Sequence, residues 1–154
     1  MNYRYATKAD LPTLLRFGEQ LFLVEREFDR TVTFNQDEAQ DRYSQQLENP
    51  LALFVVVETD DHHAAGYLYA HIDTSETGQL PQCEIEVVYV DEQYRGQGVA
   101  PELVKRALKW VKDTDARVQI VKTHIFADNL PSRRTFEKLS FRPHNVEYQL
   151  ETCP

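Results

Sequence analysis

Apolar residues follow two rhythms along this chain, and the change of rhythm divides it. Over residues 8–23, Leu11, Leu14, Leu15, Phe17, Leu21 and Phe22 approximate the helical period and predict a helix. Asp10 is placed to cap that helix, and Pro12 falls in its first turn, where a missing N–H costs little. Residues 2–5 predict a short strand ahead of it. The polar stretch 25–35 predicts a loop. Residues 36–48 predict a polar second helix that stops before Asn49-Pro50.

The rhythm then changes. Residues 51–57 are an unbroken apolar, β-branched run, the pattern of a strand buried on both faces. Asp60-Asp61-His62-His63 predicts a turn, residues 66–72 a hairpin partner, and residues 84–90 a third strand. Over 98–114, Ala100, Leu103, Val104, Ala107, Leu108 and Val111 form one apolar stripe, which predicts a long helix. Residues 118–126 predict a strand and 130–139 a short helix. Phe141 and residues 146–150 predict closing strand material. The order β-α-α-β-β-β-α-β-α-β implies an α/β or α+β chain with a mixed sheet. The crossover helix makes the strands at 84–90 and 118–126 parallel neighbours.

With 154 residues and 42% hydrophobic content, one domain over 1–154 with one good core is expected. No apolar run approaches the ~20 residues of a membrane span, and the first residues lack the apolar segment of a secretory signal. The cytoplasm is the expected location. Cys83 and Cys153 read as free thiols, without a Cys/His spacing that suggests a nucleophile. A net charge of −8 disfavours nucleic acid as a partner and suits a cationic small molecule or basic peptide. A polyanionic cofactor would need a local positive field of its own.

One segment can make that field. A strand ends at Val90, glycines sit at 96 and 98, and a long helix follows. N–H groups at a helix start lack intrahelical partners, and the helix dipole adds roughly half a positive charge there. Glycine lets the backbone approach a phosphate closely, and Arg95 adds a permanent cation. The unit suits a pyrophosphate. It is neither a Walker loop nor a dinucleotide fingerprint, since no Gly-Lys-Ser/Thr follows and position 101 is proline.

Arg95-x-x-Gly98-x-Ala100 resembles the Gln/Arg-x-x-Gly-x-Gly/Ala pattern of the GNAT acetyltransferases. A second block agrees: Asn129-x-x-Ser132-x-x-x-Phe136-Glu137-Lys138-Leu139-Ser140-Phe141 is similar to that family's Asn-x-x-Ala-x-x-x-Tyr-x-x-x-Gly-Phe. The resemblance implies the GNAT fold, a mixed and mostly antiparallel central sheet flanked by helices, with a parallel strand pair at the CoA site. It implies acetyl-CoA as co-substrate, no metal, and an amine acceptor, either a small molecule or a peptide. Main-chain groups of Val88, Tyr89 and Val90 would pair with the pantetheine arm. Arg95, Gly96, Gln97, Gly98, Val99 and Ala100 would hold the pyrophosphate. Asn129 would reach the pantetheine arm, and it also suits an N-cap. A main-chain N–H near Val88 to Val90 would stabilise developing oxyanion charge. Phe136 stands where the family often has a tyrosine that protonates the leaving thiolate; Ser132 and Ser140 replace an alanine and a glycine. The Phe136 departure keeps a CoA-binding module without turnover as the alternative, beside transfer of a longer acyl group. A homodimer is left open.

An alkyl ammonium has a pKa near ~10.4, so roughly one molecule in 2,500 is a neutral nucleophile at pH 7. A base, or a desolvating pocket, must recover part of that cost. Two candidates lie on the central strands. Glu86 sits four residues before Val90, where the family often has a carboxylate. His124 lies on the next strand, five residues before Asn129. Each can equally be structural, Glu86 in a hydrogen-bond network and His124 packed in the core. His62 and His63 read as solvated turn residues rather than metal ligands. Glu25, Glu27 and Asp29 alternate with Arg26, Phe28 and Arg30 in a stretch that suits either solvent or a wall for a cationic acceptor.

Overall fold

The computed structural model describes residues 1–74 and 80–152. Among them, strands β1 (Asn2–Tyr5), β2 (Ala52–Glu58), β3 (Ala64–Asp73), β4 (Gln82–Val90) and β5 (Ile120–Lys122) lie side by side in chain order. The first four are antiparallel, and β5 runs parallel to β4. Helices α1 (Leu11–Glu25), α2 (Gln36–Gln46), α3 (Val99–Thr114) and α4 (Leu130–Lys138) complete the order. Cys153 lies outside the described residues. None of the described helices is long and apolar enough to cross a membrane.

The sheet separates two cores. Leu53, Val55 and Val57 of β2 turn toward α3 and Phe136 of α4, while Phe54 and Val56 turn toward Leu14 and Phe17 of α1 and Tyr43 of α2. This two-sided burial is why the 51–57 run has no polar alternation. Each such side chain removed from water contributes about 1.5–3 kcal/mol. Helix α3 presents Val99, Leu103, Val104, Ala107 and Val111 as its buried stripe.

One irregularity sets the geometry of β4. Tyr69 faces Val87 and Ala70 faces Ile85, so Glu86 is the extra residue of a β-bulge. Strict alternation would put Cys83, Ile85, Val87 and Tyr89 on one face. Instead Cys83 and Ile85 pack toward α3, while Val87 and Tyr89 pack toward α1 and α2. The ladder between β4 and β5 stops at Glu84–Lys122, just before the bulge.

Several expectations are corrected. The strand foreseen over 118–126 keeps only Ile120–Lys122, because β4 offers β5 no straight partner past Glu84. Residues 146–150 join no ladder among the described residues, and Val146, Tyr148 and Leu150 are exposed. Phe141 is not strand either: it closes α4. Its N–H donates to the Phe136 carbonyl at 3.1 Å, that of Ser140 donates to Glu137 at 3.0 Å, and the two phenyl rings meet edge to face at 5.0 Å. This is a Schellman stop with Ser140 at φ 70° where glycine is preferred. Asp10 does not cap α1 with its side chain. Its carboxylate instead accepts from Arg4 at 2.7 and 2.9 Å and from the Thr7 N–H at 2.7 Å, and Arg4 also pairs with Glu58 of β2.

Two stability predictions follow from these ends. Ser140→Gly is expected to stabilise the fold by about 1 kcal/mol, since the left-handed conformation carries no Cβ penalty in glycine; urea denaturation measures it. The Arg4 guanidinium holds the Asp10 carboxyl down at about 2. A group depressed on folding stabilises above its unfolded value, ~3.9, and that stabilisation is lost as pH falls toward 2. Asp10→Asn is therefore expected to cost about 2 kcal/mol near neutrality and to flatten the loss of stability between pH 4 and 2. A denaturation series across that range checks both.

Candidate active site

The site grows from the end of β4. Gly66 of β3 lies opposite Val90, and a Cβ there would press into the Tyr89 carbonyl, so glycine permits the close register. Past Glu84 the β5 side of β4 has no partner among the described residues. Glu86 is exposed as a residue although its side chain keeps only 26% of its surface, so the open part is the main chain of the bulge. Val88 and Val90 are half-buried beside the α3 core, and Tyr89 is buried on the other face against Phe17, with ring centroids 5.0 Å apart.

A tight turn joins β4 to α3. The Asp91 N–H donates to Ala65, and the Asp91 carboxylate accepts from the Gln93 N–H. Arg95 Nε donates to the Val90 carbonyl at 2.9 Å, so this cation is anchored on the strand end rather than free in solvent. Gly96 and Gly98 have φ of 74° and 80°, and apart from the adjoining backbone nothing lies within 4 Å of where either Cβ would sit. Gly98 is the N-cap of α3 and has no side chain to satisfy the first N–H groups. The acidic residue in the first turn, Glu102, is paired with Arg106 at 3.0 Å. The exposed cradle of Arg95, Gly96, Gln97 and Gly98, followed by Val99 and Ala100, thus offers main-chain donors and the positive end of a helix dipole.

The two expected bases attach to different groups. His124 is not packed in the core: its side chain is 82% exposed, and Nδ1 lies 2.9 Å from Glu84 Oε1, while Lys122 Nζ lies 3.5 Å from Glu84 Oε2. Glu86 turns to the α2 face, where Oε2 lies 3.3 Å from Arg42 Nη1 and Oε1 lies 3.1 Å from His71 Nδ1. Burial, and then the Glu86 charge, push the neighbouring Tyr69 phenol above its ordinary range. Asn129 accepts from the Ser132 N–H at 3.2 Å, the capping role expected for it. Phe136 is buried in the α3 core. The Cys83 thiol is buried and pushed up to about 12 by that burial, which leaves it a poor nucleophile. His62 and His63 are exposed in their turn. The segment between α1 and α2 reaches the β5 side: Phe28 stacks on Phe126 at 5.7 Å, and Arg30 pairs with Glu151.

Sequence reasoning missed Arg42 and His71. The signal for His71 was present, since Tyr67, Tyr69 and His71 share one strand face by period two. Arg42 carried none.

A model of the acetyltransferase (GNAT) family matches residues 20–141. The chain belongs to this family. A Bacillus subtilis (strain 168) protein, named as a candidate ribosomal protein bS18 alanine N-acetyltransferase, is 28% identical over 104 residues. That match spans 68% of this chain and 63% of the relative, less than two thirds of its length. The GNAT fold is shared with solved structures. A tetramutant of the BH1408 protein of Bacillus halodurans has a TM-score of 0.82 at 19% identity, over 98% of this chain and 99% of that one. An aminoglycoside 6'-N-acetyltransferase of Acinetobacter haemolyticus has a TM-score of 0.76 at 23% identity, over 100% of both chains. AAC(6')-Iy, solved with the bisubstrate analog CoA-S-monomethyl-acetylneamine, has a TM-score of 0.77 at 18% identity, over 99% and 98%.

The GNAT turn gives a sharp prediction. Gly98→Val forces a β-branched residue to positive φ and fills the cradle. It is expected to weaken CoA binding at least tenfold, about 1.4 kcal/mol, while the protein still folds. Calorimetric titration of both proteins decides, and equal affinities would remove the phosphate role from this turn.

Proposed function

We propose that this chain is an acetyl-CoA-dependent N-acetyltransferase that passes an acetyl group to a primary amine by direct attack in a ternary complex. The observation that carries this reading is the unpaired main chain of β4 leading into a left-handed glycine turn and the uncapped N-terminus of α3. An extended amide-bearing arm suits an open strand edge, and a pyrophosphate suits the turn. The residues fit: Val88, Tyr89 and Val90 offer main-chain groups to the arm. Arg95, Gly96, Gln97, Gly98, Val99 and Ala100 offer donors and a cation to the phosphates. Asn129 stands by the arm with its capping duty intact. Bound acetyl-CoA supplies the thioester whose C–S bond breaks as the amine's new C–N bond forms.

The chain's own contribution is to orient the amine and take its proton. The Arg42–Glu86–His71 cluster is the better placed of the two acid–base centres, because its carboxylate is fixed by the bulge at the open edge. His124, largely solvated on Glu84, serves the rim. Phe136 has no hydroxyl to give a thiolate, so water or a second amine proton protonates it. That departure favours one other reading, a CoA-binding module without turnover. For the acceptor, the relatives' names point to two amines, an aminoglycoside and a peptide with N-terminal alanine. The wall from Glu25 to Asp29 suits either, and burial raises the Glu25 carboxyl.

Thiol release from acetyl-CoA, with neamine and an N-terminal-alanine peptide as acceptors, tests the reading. Turnover with one of them is expected, and Glu86→Gln is expected to lower kcat/KM by ~10²-fold or more and to change its pH dependence. Tight CoA binding without turnover of any amine would favour the binding module.

A further inference from the structure

His71 lies near the end of β3, a strand covered on both faces along most of its length. Its ring stacks on Tyr69, with centroids 6.0 Å apart and planes 27° apart. Its Nδ1 is sealed from solvent and makes no aligned hydrogen bond. A buried polar nitrogen left unmet is costly, so such groups almost always have a partner. The group beside it is Glu86 Oε1, at 3.1 Å. The side chain nevertheless keeps 27% of its surface. The imidazole therefore turns a sealed nitrogen toward the Glu86 carboxylate while its side chain as a whole stays part-exposed. The other Glu86 oxygen is held by Arg42, so the carboxylate is braced from two sides.

The two nitrogens of an imidazole are distinct: the one facing a carboxylate carries the proton, and the other is left with a free lone pair. We propose that His71 Nε2 accepts the proton of the incoming amine and that Glu86 is its orienting carboxylate, an assignment that rests on the acetyl-transfer reading above. In the step, a proton moves from the ammonium nitrogen to Nε2 while the electron pair stays on the amine. The imidazolium keeps its Nδ1–H toward Glu86 Oε1, and Nε2 then gives the proton to solvent. The charged and titratable groups around the ring are Tyr69 on β3, Glu84 and Glu86 on β4, and Arg42 on α2, with Lys122 of β5 reaching Glu84. His124 also sets its Nδ1 on a carboxylate, that of Glu84, but its side chain is 82% exposed, whereas His71 Nδ1 is sealed from solvent.

Nitrogen-15 NMR of the histidine-labelled full chain, assigned with His71→Ala, reads the tautomer directly. A neutral ring protonated on Nδ1 is expected, with that nitrogen shifting in Glu86→Gln; a ring protonated on Nε2 overturns the proposal. Kinetics with acetyl-CoA and the two probes, neamine and the N-terminal-alanine peptide, form the second arm. His71→Ala and His71→Asn are expected to lower kcat by ~10²–10⁴-fold, to flatten the pH–rate profile, and to leave CoA affinity within about twofold. Added imidazole is expected to restore turnover to His71→Ala and not to Glu86→Gln. An unchanged kcat or an unchanged profile in both His71 variants overturns the assignment while leaving acetyl transfer standing. A wild-type chain that acetylates neither probe counts against acetyl transfer itself, and the tautomer still decides what Glu86 does to His71.

Discussion

The bulge at Glu86 is the constraint on which the site depends. One extra residue in β4 does two things at once. It reverses which residues of the strand face each core, so that Cys83 and Ile85 serve α3 while Val87 and Tyr89 serve α1 and α2. It falls just after the last parallel pair, Glu84–Lys122, beyond which the β4 edge has no ladder partner among the described residues. It also directs the Glu86 carboxylate toward Arg42 and His71. An open edge within a sheet is ordinarily a liability, because its N–H and C=O groups ask for a partner. On the reading proposed above, the edge lies beside an anion-binding turn, and its partner is a ligand rather than another chain.

The surroundings of the bulge are closely packed and tied together. Gly66 lets β3 close up on the end of β4, and β2 is packed on both faces beneath. Arg4 ties β1, the start of α1 and the end of β2 into one ion cluster. The Schellman stop of α4 turns Phe141 back onto Phe136, which anchors that helix to the α3 core. On the proposed reading, a chain with net charge −8 offers an anion a small positive site made mostly of backbone.

Most of the fold was legible because it rests on local periodicity. The α3 stripe, the two-sided β2 run, the hairpin and the glycine turn each carry their signal within a few residues. The failures share a cause. Residues 118–126 and 146–150 have strand-like composition, but a strand exists only where a neighbour offers a ladder, and that is not a local property. Asp10 looks like a cap in sequence and is one half of an ion pair in space, because Arg4 and Glu58 arrive from other strands.

The sequence by itself determined the element order as far as α4, the glycines before α3, the family pattern, and the absence of a hydroxyl at Phe136. These follow from spacing and residue type alone. Only the tertiary structure decided which residues meet. The phase of β4 is hidden in sequence because residues 87–90 are all apolar, so a one-residue slip leaves no trace in the pattern. That slip separates His124 from Glu86 and brings together Arg42, His71 and Glu86, which lie up to 44 positions apart. Contacts between distant segments depend on register, and register is fixed by packing two cores at once, which no local window contains.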